Sequence, residues 1–236
     1  TEALVDLRVE FPPGFLPDRL REAKERLARE YPKCDERKAF KADFRFGEGG
    51  ATQDFRDLGF HGLWLKPDDE KTVAEAVGLL GRLENAKLLA GGQSLMPMLN
   101  MRYVLPDHVI DLERVQDLAY LREANGVLEI GAMTRQRDIE YSALVRARCP
   151  LMHEAVLQVG HRQTRNRGTL GGSLCQLDPA AELVAVAMAL DATVTIAGPK
   201  GSRSLPFAEF PAGYMTPALA ADEMLTGARF PLWKKG

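Results

Sequence analysis

Between Trp64 and Leu112 the hydrophobic residues change their spacing twice, and that change limits the possible folds more than any other feature of the chain. Val73, Ala76, Val77 and Leu80 recur at the i, i+3, i+4, i+7 intervals of one buried helical face, with Asp68 or Asp69 placed to cap its start. Short apolar runs stand on either side, beginning at Trp64, at Ala86–Leu89 and at His108–Leu112. A strand–helix–strand order of this kind predicts a small β-α-β layer. Ala90–Asn100 is then expected to be a loop at a strand end, a place where ligands are commonly held.

Beyond Leu112 a two-residue period takes over. Gly126–Ala132 alternates as a strand, Asp138–Tyr141 and Leu151–Val159 suit helices, and Asp191–Leu205 reads as a hairpin turning at Gly198-Pro199-Lys200-Gly201. This half is expected to be an antiparallel sheet with helices packed on it, which makes the fold class α+β. The first sixty-odd residues follow another pattern: a strand over Ala3–Phe11, a charged helix near Pro17–Tyr31, and a strand in which Phe40, Ala42, Phe44 and Phe46 alternate with polar neighbours. The glycine-rich run Gly47–Gly50 ends it. The chain divides accordingly into a strand-helix-strand segment of unknown role at 1–61, a subdomain at 62–116 and a second subdomain at 117–236.

Two glycine pairs carry the chemistry. In Ala90-Gly91-Gly92-Gln93-Ser94-Leu95, adjacent glycines let the backbone point several N–H groups at one small anion, and Ser94 adds a hydroxyl. Taken alone, a Gly-Gly-x-Ser is most often an ordinary tight turn. The second pair, Gly171-Gly172, lies in the segment Arg165–Leu174 between the hydroxyls of Thr169 and Ser173. Arg162, Arg165 and Arg167 stand beside it, either as solvated surface cations or as partners of a pyrophosphate. The segment runs into Asp178-Pro179-Ala180-Ala181-Glu182, where Asp178 is expected as a helix N-cap and Pro179 as the first helical residue, with the helix ending near Leu190. Glu182, one turn into that helix, either offsets the helix dipole at the surface or accepts a hydrogen bond from a ribose hydroxyl; the surface role is the commoner.

Composition removes several function classes. Lys and Arg total 31 against 33 for Asp and Glu, so no general field attracts nucleic acid or an anionic membrane. No window approaches the roughly 18 apolar residues of a membrane-spanning helix. Cys34, Cys149 and Cys175 form no C-x-x-C pair, and His61, His108, His153 and His161 never fall three or four apart, so neither a disulfide framework nor a bound metal is expected. A reducing cytoplasm is the expected location. No nucleophile–base arrangement is evident, and no acid–base catalyst is nominated. Neither glycine pair fits G-x-G-x-x-G, and no G-x-x-x-x-G-K-[ST] occurs, so the Rossmann and P-loop explanations fail.

The ordered set Ala90–Leu95, Glu129-Ile130-Gly131-Ala132-Met133-Thr134, Arg165–Leu174 and Asp178–Glu182 resembles the FAD-binding medium subunit of the xanthine dehydrogenase and carbon monoxide dehydrogenase family of molybdenum hydroxylases. Phe210-Pro211-Ala212-Gly213-Tyr214-Met215-Thr216 and Asp222-Glu223-Met224-Leu225 extend the likeness, which runs from about Trp64 to Leu232.

The resemblance implies a two-subdomain FAD-binding fold, with FAD between the subdomains. It implies that Ala90, Gly91, Gly92, Gln93, Ser94, Leu95, Thr169, Gly171, Gly172 and Ser173 lie at the pyrophosphate, Asp178 and Glu182 near the adenosine ribose, and Leu225 as an apolar wall by the flavin. It also implies an electron-transfer oxidoreductase subunit, which takes electrons from a molybdenum–pterin large subunit through a [2Fe–2S] small subunit and passes them to NAD, oxygen or a quinone. The family pattern begins near Trp64 and continues past Leu232 into a further domain of about 100 residues, whereas this chain stops at Gly236, so activity is expected only in a longer, assembled form. Two alternatives are a single-chain flavin oxidase and a noncatalytic nucleotide-binding remnant. Gly92→Val or Gly171→Val is expected to abolish FAD retention while sparing the helices, and residues 1–60 are expected to be dispensable for flavin binding.

Overall fold

Helix α1 (Val73–Leu80) starts at Thr72, whose hydroxyl accepts the Glu75 amide at 3.2 Å. The cap is therefore not Asp68 or Asp69, because a capping oxygen reaches the third amide only from the position just before the helix. The computed structural model describes residues 72–233 continuously, with the backbone of short strands at Val9–Phe11, Lys41–Ala42, Phe44–Phe46, Gln53–Asp54 and Leu63–Leu65 before them. Val9–Phe11 runs parallel to Phe44–Phe46, and Lys41–Ala42 antiparallel to Gln53–Asp54. The helix expected near Pro17–Tyr31 and the break at Gly47–Gly50 lie outside the described residues.

Strands β1 (Leu63–Leu65), β2 (Ala86–Leu89) and β3 (His108–Asp111) form a parallel sheet in the order β1-β3-β2, with Trp64 opposite Val109 and Leu88 opposite Ile110. The crossover helix α1 buries Ala76, Val77 and Leu80, the face its spacing predicts. The segment after β2 is only half loop: Leu95–Asn100 forms helix α2, closed by Met96 N–H to Gly92 O at 3.1 Å. Pro97 fits there because the first turn of a helix leaves its amides unused in any case.

The larger sheet is antiparallel. Strands β4 (Leu121–Ala124), β5 (Val127–Gly131), β6 (Thr193–Gly198), β7 (Gly201–Pro206) and β8 (Met224–Pro231) lie in the order β7-β6-β8-β5-β4. The hairpin β6–β7 turns at Pro199-Lys200 with Gly198 opposite Gly201, whose φ of +112° suits glycine. Helices α3 (Gln136–Tyr141), α4 (Ala143–Arg148), α5 (Pro150–Gln158), α6 (Arg162–Arg167), α7 (Leu170–Gln176) and α8 (Glu182–Ala189) accompany this sheet. Met152, Val156, Leu170, Leu174, Leu183 and Val186 from three of them join Leu128, Ile130, Val194 and Phe230 of the sheet in one core. The chain is thus an α+β protein.

A second core holds Ala76, Val77, Leu80, Ile110, Leu112, Val115 and Leu118 together with Met133, Ala197 and Met224. The last three belong to the antiparallel half, so this cluster seats the parallel layer against the larger sheet. Helix α8 begins later than the sequence implies. Its N-cap is Ala181, while Asp178 accepts the Ala180 amide at 2.9 Å in a local turn, so Pro179 precedes the helix and Glu182 is its first residue. An Asp that folds back onto the amide two residues on competes with its own capping role.

Candidate functional site

The first glycine segment leaves the C-terminal end of β2, where Leu112 N–H still bonds Leu89 O at 2.9 Å. Gly92 then takes a φ of +72°, which turns the chain away from the sheet. Across Gly91, Gly92, Gln93, Ser94 and Leu95, no backbone amide donates a hydrogen bond to another described residue. The Gln93 side-chain amide folds onto Gly91 O at 3.2 Å, and Gln93 and Ser94 are exposed. A run of undirected donors on a turning backbone is what a small oxyanion requires.

The second segment is not a loop. It is the junction of α6 and α7, with Thr169 as the N-cap of α7 accepting the Gly172 amide at 3.1 Å. Leu170 N–H bonds Thr134 O at 3.0 Å and Gly171 N–H bonds Ala132 O at 2.8 Å, so the amides that would capture phosphate are engaged within the protein. The anchor is continuous: a register shift in β8 at Thr226 sends its carbonyl to Ala132 N–H at 2.9 Å, and Ala132 O receives Gly171. A Cβ on Gly171 would lie 2.6 Å from Ala132 Cβ and 2.8 Å from its carbonyl oxygen. Glycine there allows close packing of α7 on the Gly131–Thr134 turn, so Gly171→Val is expected to break the fold locally rather than spare it.

The two segments meet. A Cβ on Gly91 would lie 2.8 Å from both the Arg167 carbonyl carbon and Gly168 Cα, and one on Gly172 would lie 3.9 Å from Ala90 Cβ. Residues nearly eighty positions apart thus form one junction, between the first segment with its free amides and Arg167, Gly168 and Gly172 of the second. The arginines divide their work. Arg165 is committed to Glu140 through Nε at 2.8 Å and Nη2 at 3.3 Å, and it also donates to Val159 O at 2.9 Å. Its guanidinium holds the Glu140 carboxyl below the usual carboxylate range. This pair ties α6 to α3, so Arg165 is structural rather than a pyrophosphate partner. Arg162 is exposed, and Arg167 reaches Glu113 only at 3.8 Å.

A family model described as the FAD binding domain in molybdopterin dehydrogenase matches residues 58–233. The chain belongs to this family. The carbon monoxide dehydrogenase medium chain of Hydrogenophaga pseudoflava is 40% identical over 167 residues, covering 70% of this chain and 58% of that relative. The glyceraldehyde dehydrogenase medium chain of Sulfolobus acidocaldarius is 37% identical over 162 residues, covering 69% and 58%. A solved Hydrogenophaga pseudoflava carbon monoxide dehydrogenase superposes with a TM-score of 0.72 at 39% identity, over 75% of this chain and 61% of that one. Quinoline 2-oxidoreductase from Pseudomonas putida 86 gives 0.69 at 33% identity, over 72% and 58%. The chain spans about three fifths of the length of these relatives.

FAD is the cofactor of this domain family, and the residues present fit it: Gly91–Leu95 offer unbonded amides for a diphosphate, and Gly172 leaves α7 bare beside them. The other expected contacts lie outside the two glycine segments. Asp178 is exposed and Glu182 half-buried at the start of α8, on the far side of α7 in sequence. Leu225 packs in the main core opposite Ile196 and is 4% exposed, so the structure does not bring it out with the glycine segments. Sequence reasoning missed Arg135, which donates through Nη1 to Arg167 O and whose backbone pairs with Thr169. Its only signal was its place one residue past the Gly131–Thr134 motif. Among the described residues, no group of three His, Cys, Asp or Glu could hold a metal ion, and no helix is long and apolar enough to cross a membrane.

Proposed function

We propose that the chain is the FAD-holding electron-transfer module of a molybdenum hydroxylase, working with a molybdenum–pterin large subunit and a [2Fe–2S] small subunit and delivering electrons to NAD, oxygen or a quinone. The observation that carries the reading is the junction of the two glycine segments, with five unbonded amides on one side of it. Gly91, Gly92, Gln93, Ser94 and Leu95 direct backbone N–H groups at the diphosphate, and the Ser94, Thr169 and Ser173 hydroxyls supplement them. Ala90, Gly171 and Gly172 serve by being small: they let the strand end and the helix approach one another and the ligand. Asp178 and Glu182 accept hydrogen bonds from ribose hydroxyls, and Leu225 supports the flavin side from within the core.

When bound, the flavin supplies the oxidation–reduction chemistry, and the protein sets its position and surroundings. No acid–base residue is assigned. Of the two described cysteines, both free thiols, Cys175 is pushed up to about 12 by burial, and burial raises Cys149 as well, so neither is a nucleophile at neutral pH. Free thiols suit a cytoplasmic setting, which is part of this reading. The matched relatives are named for oxidising carbon monoxide and glyceraldehyde, so one flavin module serves different substrates.

Isothermal titration of the purified chain with FAD, FMN and ADP tests the assignment. FAD and ADP are expected to bind and FMN to bind more weakly, because FMN lacks the pyrophosphate and adenosine that these residues address. Equal affinity for FAD and FMN would remove the diphosphate model.

A further inference from the structure

Arg135 stands out among the guanidinium groups around the junction. Arg165 is paired with Glu140, Arg137 is bonded to Asn166 at 3.0 Å and lies over the Tyr141 ring, and Arg167 is exposed near Glu113. Arg135 alone among these is partly buried with no ion pair to any described carboxylate. Its surroundings disfavour its charge: burial lowers its pKa first and the neighbouring Arg167 next, while Glu113, Asp138 and Asp111 act more weakly in the opposite sense. A cation taken partly out of water without an ion-pair partner is a cost to folding, unless an anion arrives to offset it.

Its position says which anion. Arg135 Nη1 donates to Arg167 O, and the Arg167 carbonyl is the group against which Gly91 packs, so the guanidinium and the first residue of the unbonded run share that carbonyl as a neighbour. The backbone of Arg135 is fixed by the bridge to Thr169, made by Gln136 N–H to Gly168 O at 2.8 Å and Leu170 N–H to Thr134 O at 3.0 Å. The fixed backbone and the bond to Arg167 O together hold the guanidinium beside the α6–α7 junction.

We propose that Arg135 is the counter-charge of the diphosphate site, a positioning and affinity-setting residue that completes a junction whose other donors are neutral. The proposal rests on the FAD reading given above. It assigns the charge to Arg135 rather than to the more exposed Arg162 and Arg167 or the paired Arg165.

The test uses ADP and FAD as separate probes on the full chain, with neutral adenosine as the control. Arg135→Gln keeps a donor toward Arg167 O but removes the charge, and Arg135→Lys keeps the charge but loses the fork. The expected result is that Arg135→Gln weakens ADP and FAD about tenfold, the scale of one charge-assisted hydrogen bond, whereas Arg135→Lys stays within about threefold and adenosine is unmoved in both. Wild-type affinity in Arg135→Gln, or a Lys variant as weak as the Gln variant, overturns the proposal. Glu113→Gln, on an exposed side chain, supplies a variant that does not depend on the junction folding around a new residue. Removing this carboxylate is expected to tighten ADP about twofold to threefold, and unchanged or weaker binding counts against the proposal. Failure of wild-type protein to bind FAD or ADP at all would instead remove the FAD reading itself.

Discussion

Replacing Gly91 by Ala adds a single methyl group, and the structure says where it goes. The new Cβ would lie 2.8 Å from the Arg167 carbonyl carbon and 2.8 Å from Gly168 Cα, both backbone atoms with no rotamer to yield. Ordinary carbon–carbon contact is about 3.5–4.0 Å, so the strand end and the α6–α7 junction must part by roughly 1 Å. Overpacking of this kind costs about 1–3 kcal/mol, which in a chain of this size lowers Tm by about 2–4 °C per kcal/mol. The main core of the antiparallel sheet and its helices contains no residue of Ala90–Leu95, so the far-ultraviolet signal should survive. The ligand suffers more than the fold, because the displaced amides of Gly91–Leu95 no longer converge with α7; FAD affinity should fall at least about tenfold. Fluorescence titration of FAD and differential scanning fluorimetry of the apo chain read the two effects separately. Gly126→Ala is the control: Gly126 has φ +76° and open space around the would-be Cβ, so it should lose about 1 kcal/mol through strain and leave FAD binding alone. Wild-type FAD affinity in Gly91→Ala would refute the argument that the seam between the two segments holds the ligand.

Gly78 is exposed in the middle of α1, and a methyl added there would meet nothing within 4 Å, so Gly78→Ala should stabilise the chain by about 1 kcal/mol, seen as a raised denaturant midpoint with unchanged slope. Glu140→Gln leaves the Arg165 guanidinium in a site where both side chains are about one tenth exposed, so a loss of about 3 kcal/mol is expected by urea unfolding. For Glu223, the hydrogen bonds from Arg203 hold the carboxyl at about 2, below its unfolded value, so its contribution is present at neutral pH and is lost as pH falls from about 4.5 toward 2. Glu223→Gln should therefore destabilise at pH 7 by about 1 kcal/mol, discounted because Arg203 is 43% exposed, and should match wild type near pH 2; an equal gap at both pH values would contradict this.

Much of the architecture was legible in local pattern. The strand at Ala86–Leu89, the buried face of α1 and the turn of the β6–β7 hairpin are matters of spacing between near neighbours, and local spacing is what backbone geometry reads directly. The short helices α4, α6 and α7 were not seen, since six or seven residues hold too few turns to establish a period. Sequence likewise determined that Gly91, Gly92, Gly171 and Gly172 matter, because four ordered motifs together are specific where each alone is an ordinary turn. It could not say why each is glycine. That Gly92 needs its positive φ, that Gly171 is glycine to pack on Ala132, and that Gly91 is glycine to lie against Arg167 all depend on which distant backbone comes alongside. The same holds for charge: Arg165 and Arg135 are alike in sequence, yet one is paired with Glu140 and the other donates to the Arg167 carbonyl. A side chain's partners are fixed by distances through space, and only the packing of α3, α6 and β2 around one another set those distances.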